Sequence, residues 1–83
     1  MEPHQAHTVA QILKSGKVYT DGRSVGLERL SYDRANLTFI YRKEDATADI
    51  FNPVVFESLM SDEEFLAFVE SNFDFDAVIE KLV

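Results

Sequence analysis

The apolar residues of this chain change spacing twice, and those two changes limit the folds open to it. Ala6, Val9, Ala10 and Leu13 recur at i, i+3, i+4 and i+7, with Ile12 beside them, which is one face of a helix. Pro3 suits a first turn and Ser15-Gly16 a stop, so the spacing predicts a helix over 3–15. From residue 17 to 51 the pattern shortens toward strict alternation, the period of a strand. After Asn52 it reads as helical again. A chain ordered in this way lacks the alternation of parallel α/β folds and has too few strands for a barrel.

Local signals divide the middle of the chain further. Asp21-Gly22, between Val18-Tyr19-Thr20 and Arg23-Ser24-Val25, is a two-residue hairpin signal. A second hairpin is expected with residues 33–36 as its loop. Tyr32 then faces Leu37, Leu30 faces Phe39, and Tyr41 continues the same apolar face. The alternation slips between Leu27 and Leu30, which predicts a bulge near Glu28. Residues 42–45 read as a tight turn and 46–51 as a short fourth strand.

The last third reads as helices. Asn52-Pro53 has the form of a helix start, with Val55, Phe56, Leu59 and Met60 sharing the following face. Ser61-Asp62-Glu63-Glu64 is the strongest local signal. Ser61 and Glu64 form a capping box, and Met60 and Phe65 are spaced for a hydrophobic staple. Phe65, Phe68, Val69 and Phe73 make the buried face of that helix; Asp74 can cap a last one built on Phe75, Val78, Ile79 and Leu82. The expected architecture is α+β: a small antiparallel sheet of three to four strands, preceded by one helix and followed by two to three short helices, which cover one sheet face.

With 83 residues the chain has material for one core, so residues 1–83 are read as a single compact domain. There is no cysteine, which removes disulfides, thiolate metal sites and cysteine nucleophiles. Seven Phe and three Tyr supply the buried area that a small core needs instead. The opening segment MEPHQAH carries neither the basic nor the apolar stretch of a secretion signal, and no apolar run approaches a membrane span. The expectation is a cytoplasmic protein with no membrane association.

Charge is distributed unevenly. Seven of the eight basic residues precede Glu44, while eleven of the fifteen acidic residues lie from Glu44 onward. The first part therefore sums to +3 and the second to −10. A field of one sign attracts surfaces of the other sign, so the split speaks to partners rather than to a reaction.

Reaction chemistry finds little support. His4 and His7 near Glu2 have helical spacing but no third ligand, and they read as solvated side chains. Asp62, Glu63 and Glu64 have a structural reason to be acidic at a helix start, and with Glu70 they face outward rather than into a cleft. The glycines between Lys14 and Gly26 match no phosphate-binding spacing, and no serine sits in a nucleophile motif. The sequence thus predicts no enzyme, no metal and no cofactor.

Two binding functions remain. The first is a non-enzymatic protein-binding module, such as a small acidic inhibitor or nucleic-acid mimic that occupies the basic surface of a nucleic-acid-binding protein. Its contact residues are Glu57, Glu63, Glu64, Glu70, Asp74 and Asp76. In size and charge alone the chain resembles phage-encoded inhibitors and antitoxin-like proteins; no motif takes that likeness further. The second is a nucleic-acid or anion-binding face on the sheet, with Arg29, Arg34, Arg42 and Lys43 on phosphates beside Tyr19, Tyr32, Phe39 and Tyr41. Self-association through a strand edge or surplus aromatic surface is compatible with either.

Overall fold

The computed structural model describes residues 1–23, 26–46 and 51–82, with the side chain of Arg23 excluded. The elements run α1 (Pro3–Lys14), β1 (Tyr19–Arg23), β2 (Gly26–Asp33), β3 (Thr38–Asp45), β4 (Val54–Met60), α2 (Asp62–Asn72) and α3 (Phe75–Lys81). The four strands form an antiparallel sheet in the order β1-β2-β3-β4, so each strand pairs with its neighbour in sequence. The result is the expected α+β arrangement, with helices on one face of the sheet.

The helix layer follows from the apolar stripes. Ala6, Val9, Ala10 and Leu13 of α1 are all buried, and Gly16 closes the helix at φ 106°, in the left-handed region that glycine tolerates. The α1 helix packs against α2, α3 and β2; α2 also lies over β3 and β4, and α3 over β1. Ser61 caps α2 as the sequence indicates. Its hydroxyl accepts from the Glu64 N–H at 3.3 Å, and its own N–H donates to Glu64 Oε1 at 3.1 Å. The Asp74 carboxylate accepts from the Ala77 N–H at 3.2 Å and starts α3.

Between the layers, Phe39 of β3 stacks on Phe65 of α2 with ring centroids 4.0 Å apart and planes 9° from parallel. Tyr19, Leu30, Tyr41 and Met60 extend this core across all four strands. Tyr19, Tyr41 and Phe68 each set a ring 5.7–6.2 Å from Phe73. Phe73 thus joins the far end of α2 to the sheet.

Five local expectations are corrected. Asp21-Gly22 is not the first turn: it lies inside β1, where Asp21 pairs with Glu28 and Gly22 with Leu27. The chain reverses instead between the partners Arg23 and Gly26, across residues outside the described set. No bulge interrupts β2, which pairs continuously with β3 from Gly26↔Asp45 to Asp33↔Thr38. The apparent slip arises because Leu27 belongs to the uncovered face of the sheet and Leu30 to the core face. Residues 42–45 are strand rather than turn, because β3 runs on to Asp45.

In the second hairpin Tyr32 pairs with Phe39 and Leu30 with Tyr41, a register two residues away from the expected one. Asp33 explains the difference. Its Oδ1 accepts from the N–H groups of Ala35 (3.0 Å) and Asn36 (3.3 Å), and the Asn36 side-chain amide donates to Oδ2 at 2.7 Å. These bonds curl the chain so that Leu37, at φ 53° and 71% exposed, becomes a loop residue. A slip of two leaves the residues that stay in the ladder on their expected faces.

The largest correction concerns residues 53–60, which form no helix. Val54–Met60 is the fourth strand, with Val54 opposite Asp45 and Met60 opposite Phe39. Apolar residues at 55, 56, 59 and 60 fit a helical stripe and a strand with two apolar faces equally well. The adjacent β-branched Val54 and Val55 favour the strand, and β3 supplies a ladder to pair with. The expected strand at 46–51 falls largely outside the described residues, and Phe51 and Asn52 form a turn before β4.

Candidate functional site

The sheet separates three surfaces that the sequence could not. Helices cover one face. The opposite face carries Thr20, Leu27, Arg29, Ser31, Ile40, Arg42, Glu44, Val55, Glu57 and Leu59, by alternation from the paired registers. The third surface is the free long edge of β4.

On the uncovered face Arg42 is held by two carboxylates. Its Nε donates to Glu44 Oε1 at 3.1 Å, and its Nη1 donates to Glu57 Oε2 at 3.2 Å. Both contacts raise the already high pKa of the guanidinium, the Glu44 bond first. Arg29 lies directly opposite Arg42 on β2 and is exposed. Together with Leu27, Ser31 and Ile40 these groups line a shallow concavity.

The basic residues proposed for phosphates are therefore dispersed. Arg29 and Arg42 share the uncovered face, Lys43 points to the other face beside Phe56, and Arg34 sits at the tip of the β2–β3 loop. The aromatic residues read beside them lie beneath the helices: Tyr19, Phe39 and Tyr41 are buried and Tyr32 is half-buried. Lys14 reaches over the rings of Tyr32 and Phe39, 5.5 and 5.6 Å from their centroids.

The acidic set is partly brought together. Glu63, Glu64, Glu70, Asp74 and Asp76 all belong to α2, α3 or the junction between them, within one layer, and Glu80 joins them there. Glu57 does not; it lies on β4 and faces away from the helices toward Arg42. Within the helical group Glu64 and Asp74 are engaged in caps, and the Ser61 N–H and hydroxyl hold the Glu64 carboxyl below its ordinary value. Asp62 is paired with Lys14 at 2.9 Å. Lys81 is the one cation on these two helices, and it reaches Asp21 on β1 at 3.4 Å. Among the described residues, no ion pair or side-chain hydrogen bond involves Glu63, Glu70, Asp76 or Glu80.

One titratable pair lies inside. The Tyr41 hydroxyl donates to Glu28 Oε2 at 2.7 Å, and burial together with that carboxylate pushes the phenol well above its usual range. The pair lies on the core side of the sheet, beside Lys43 and Phe56. His4 and His7 are exposed on α1, and no group of three or more His, Asp or Glu among the described residues could hold a metal ion.

Sequence reasoning missed the β4 edge altogether. Val54, Val55, Phe56 and Leu59 are 67%, 46%, 57% and 63% exposed, and Phe51, just before the strand, is 89% exposed. The available signal was a run of seven residues, Val54–Met60, with a single charge and apolar groups at both odd and even positions. Among the described residues no helix is long and apolar enough to cross a membrane. Comparison with protein-family models, with curated proteins and with solved structures finds no match.

Proposed function

We propose that this chain is a non-enzymatic protein-binding domain that docks onto a basic partner surface through α2 and α3. The observation that carries the reading is the charge of those helices and their caps. Asp62, Glu63, Glu64, Glu70, Asp74, Asp76 and Glu80 stand against Lys81, which is itself engaged by β1. Among the described residues only Asp62 of these seven carboxylates forms an ion pair, with Lys14, so the layer projects a negative field. Rigid helices hold the charges at fixed spacing, and a basic surface that ordinarily receives phosphates fits such an array. A nucleic-acid-binding protein blocked by this domain is the partner class that follows.

The test is capture from cell lysate by the tagged chain, in parallel with the triple variant Glu63→Gln, Glu70→Gln, Asp76→Asn. A basic protein retained by the wild type, lost from the variant and released at high salt supports the proposal. Equal retention by both chains refutes the acidic surface. The second reading, an anion-binding sheet face, is left with Arg29 and Arg34, because Arg42 is engaged and Lys43 faces elsewhere. Salt-sensitive retention on single-stranded DNA, abolished by Arg29→Gln, would favour it.

A further inference from the structure

We propose that the free edge of β4 pairs with β4 of a second copy, joining two four-stranded sheets across a two-fold axis. The argument begins with the sheet order, which leaves β1 and β4 as edges. The two edges are treated differently. At β1, Leu82 forms an antiparallel bridge with Tyr19, and Lys81 reaches Asp21, so the end of α3 overlies that edge. At β4 no described segment pairs with the outer side of the strand.

An exposed edge normally carries devices that discourage pairing: lysines, proline, a bulge or extreme shortness. Here β4 is seven residues long, has no lysine or proline, and pairs continuously with β3. Its one charge, Glu57, is already held by Arg42. The edge is thus close to neutral on a chain of net charge −7. Copies of such a chain repel through their helical faces, and β4 is where they meet with least repulsion.

The apolar area matches what a dimer needs. Taking about 150–250 Å² for a whole aromatic side chain and somewhat less for an aliphatic one, Val54, Val55, Phe56 and Leu59 present roughly 400 Å², and Phe51 adds to it. A standard interface buries about 800 Å² per partner, of which roughly 450–520 Å² is apolar. These groups flank the edge on both sides of the sheet, Val54 and Phe56 toward the helices and Val55 and Leu59 on the uncovered face, so an edge-to-edge contact covers both sets.

Geometry narrows the register. A two-fold axis perpendicular to the sheet keeps each side chain on its own face, so Phe56 meets Val54, Phe56 or Ser58 of the other copy. Centring the axis on Glu57 would set two carboxylates opposite each other, which strand pairs disfavour. Centring it on Phe56 sets ring against ring, Val54 against Ser58, and Val55 against Glu57. The contact is closed and isologous, so each substitution counts twice.

Sedimentation velocity on the full chain, from micromolar to millimolar concentration, tests this. The wild type is expected to pass from a 9.5 kDa monomer to a species of twice that mass. Phe56→Lys and, separately, Val55→Lys should weaken the association on the order of 100-fold. Circular dichroism serves as the check on folding, and both sites are exposed enough that the monomer should remain folded. Amide exchange at 54–58 should slow with rising concentration in the wild type only. A wild type that stays monomeric throughout, open-ended association instead of a dimer, or dimers unaffected by both lysines would each overturn the proposal. None of these readouts involves the basic partner of α2 and α3, so the two proposals fail independently.

Discussion

The two edges of this sheet have the same backbone chemistry and opposite surroundings. At β1, Tyr19 is 4% exposed, sets its ring against Phe73 and is bridged by Leu82. At β4, Phe56 is 57% exposed and sets its ring at the rim of Tyr41, 6.2 Å between centroids. The exposed strand β4 is the more apolar of the two, with five apolar residues where β1 has Tyr19 alone. The difference lies in what the rest of the chain brings to each edge. The α3 helix is placed over β1, while α2 leaves β4 directly and crosses inward over β3 and β4. Apolar composition at an edge therefore does not reveal whether it is core or interface; connectivity decides.

The sharpest way to break this contrast is to remove one aromatic ring from each edge. Tyr19→Ala deletes a buried ring and should destabilise the fold by about 3–5 kcal/mol. Phe56→Ala removes a ring that is more than half in water and should cost the monomer less than about 1 kcal/mol. Urea unfolding of both variants at low micromolar concentration, where association is absent, measures the difference. Similar losses would mean that β4 is part of the core and the distinction is false.

Tyr41 marks the boundary between the two regimes. In its row across the sheet, Tyr19, Leu30 and Tyr41 are buried, and Ser58 of β4 is half-exposed. Tyr41→Phe leaves the half-buried Glu28 carboxylate without its donor and should cost about 1–3 kcal/mol. The raised pKa adds a pH signature. The unfolded chain ionises this phenol from about its ordinary value of 10.0, while the folded chain keeps it protonated. The contribution is therefore complete below pH 10.0 and is lost as pH rises beyond it. Tyr41→Phe should flatten that alkaline decline in chemical-denaturation midpoints; an unchanged slope would place Tyr41 in water and move the boundary inward.

These differences also explain how much the sequence discloses. Elements whose ends are set by local hydrogen bonds are legible: the stripe of α1, the capping box at Ser61, the Asp74 cap. So is the fold class, because the change of period survives local error. The β2–β3 register fails by two residues because Asp33 recruits Leu37 into the loop, a choice made by side-chain geometry rather than by hydrophobic pattern. The strand β4 fails because its pairing with β3 is non-local and its short apolar run satisfies both periods. The candidate site divides in the same way. Helical positions of Glu63, Glu64, Glu70, Asp74 and Asp76 follow from caps and stripes, whereas Glu57 was placed among them only by reading its strand as a helix.

Ser61 lies at the point where the exposed edge turns into the covered layer. Ser61→Ala removes the hydroxyl that accepts from the Glu64 N–H and should lower stability by about 1 kcal/mol. Glu64 should carry an acid signature as well. Its carboxyl is held below the ordinary 4.5, so its contribution is present above that value and is lost as pH falls through the lower, folded value. Thermal melts between pH 3 and 6 should therefore converge for wild type and Glu64→Gln at the acid end. If Ser61→Ala were silent, the start of α2 would be fixed by packing of Phe65 alone, and the β4–α2 junction would belong to the core.

The smallest effect is expected from the ion pair that ties α1 to the start of α2. Lys14 Nζ and Asp62 Oδ2 are 2.9 Å apart, with side chains 32% and 58% exposed, so solvent screens most of their attraction. Lys14→Met keeps the stem that lies over Tyr32 and Phe39 and removes only the charge. The melting temperature should fall by less than in Ser61→Ala, and the difference from wild type should close as salt approaches about 1 M, where screening acts over roughly 3 Å. The bond to Asp62 raises the Lys14 pKa above its ordinary 10.5, so the contribution is whole below that pH and fades above it. A loss larger than that of Ser61→Ala, or one that persists in high salt, would show that charge rather than burial anchors the helices on the β4 side. The contrast between the two edges would then be electrostatic in origin, and the neutrality of β4 would no longer suffice to make it an interface.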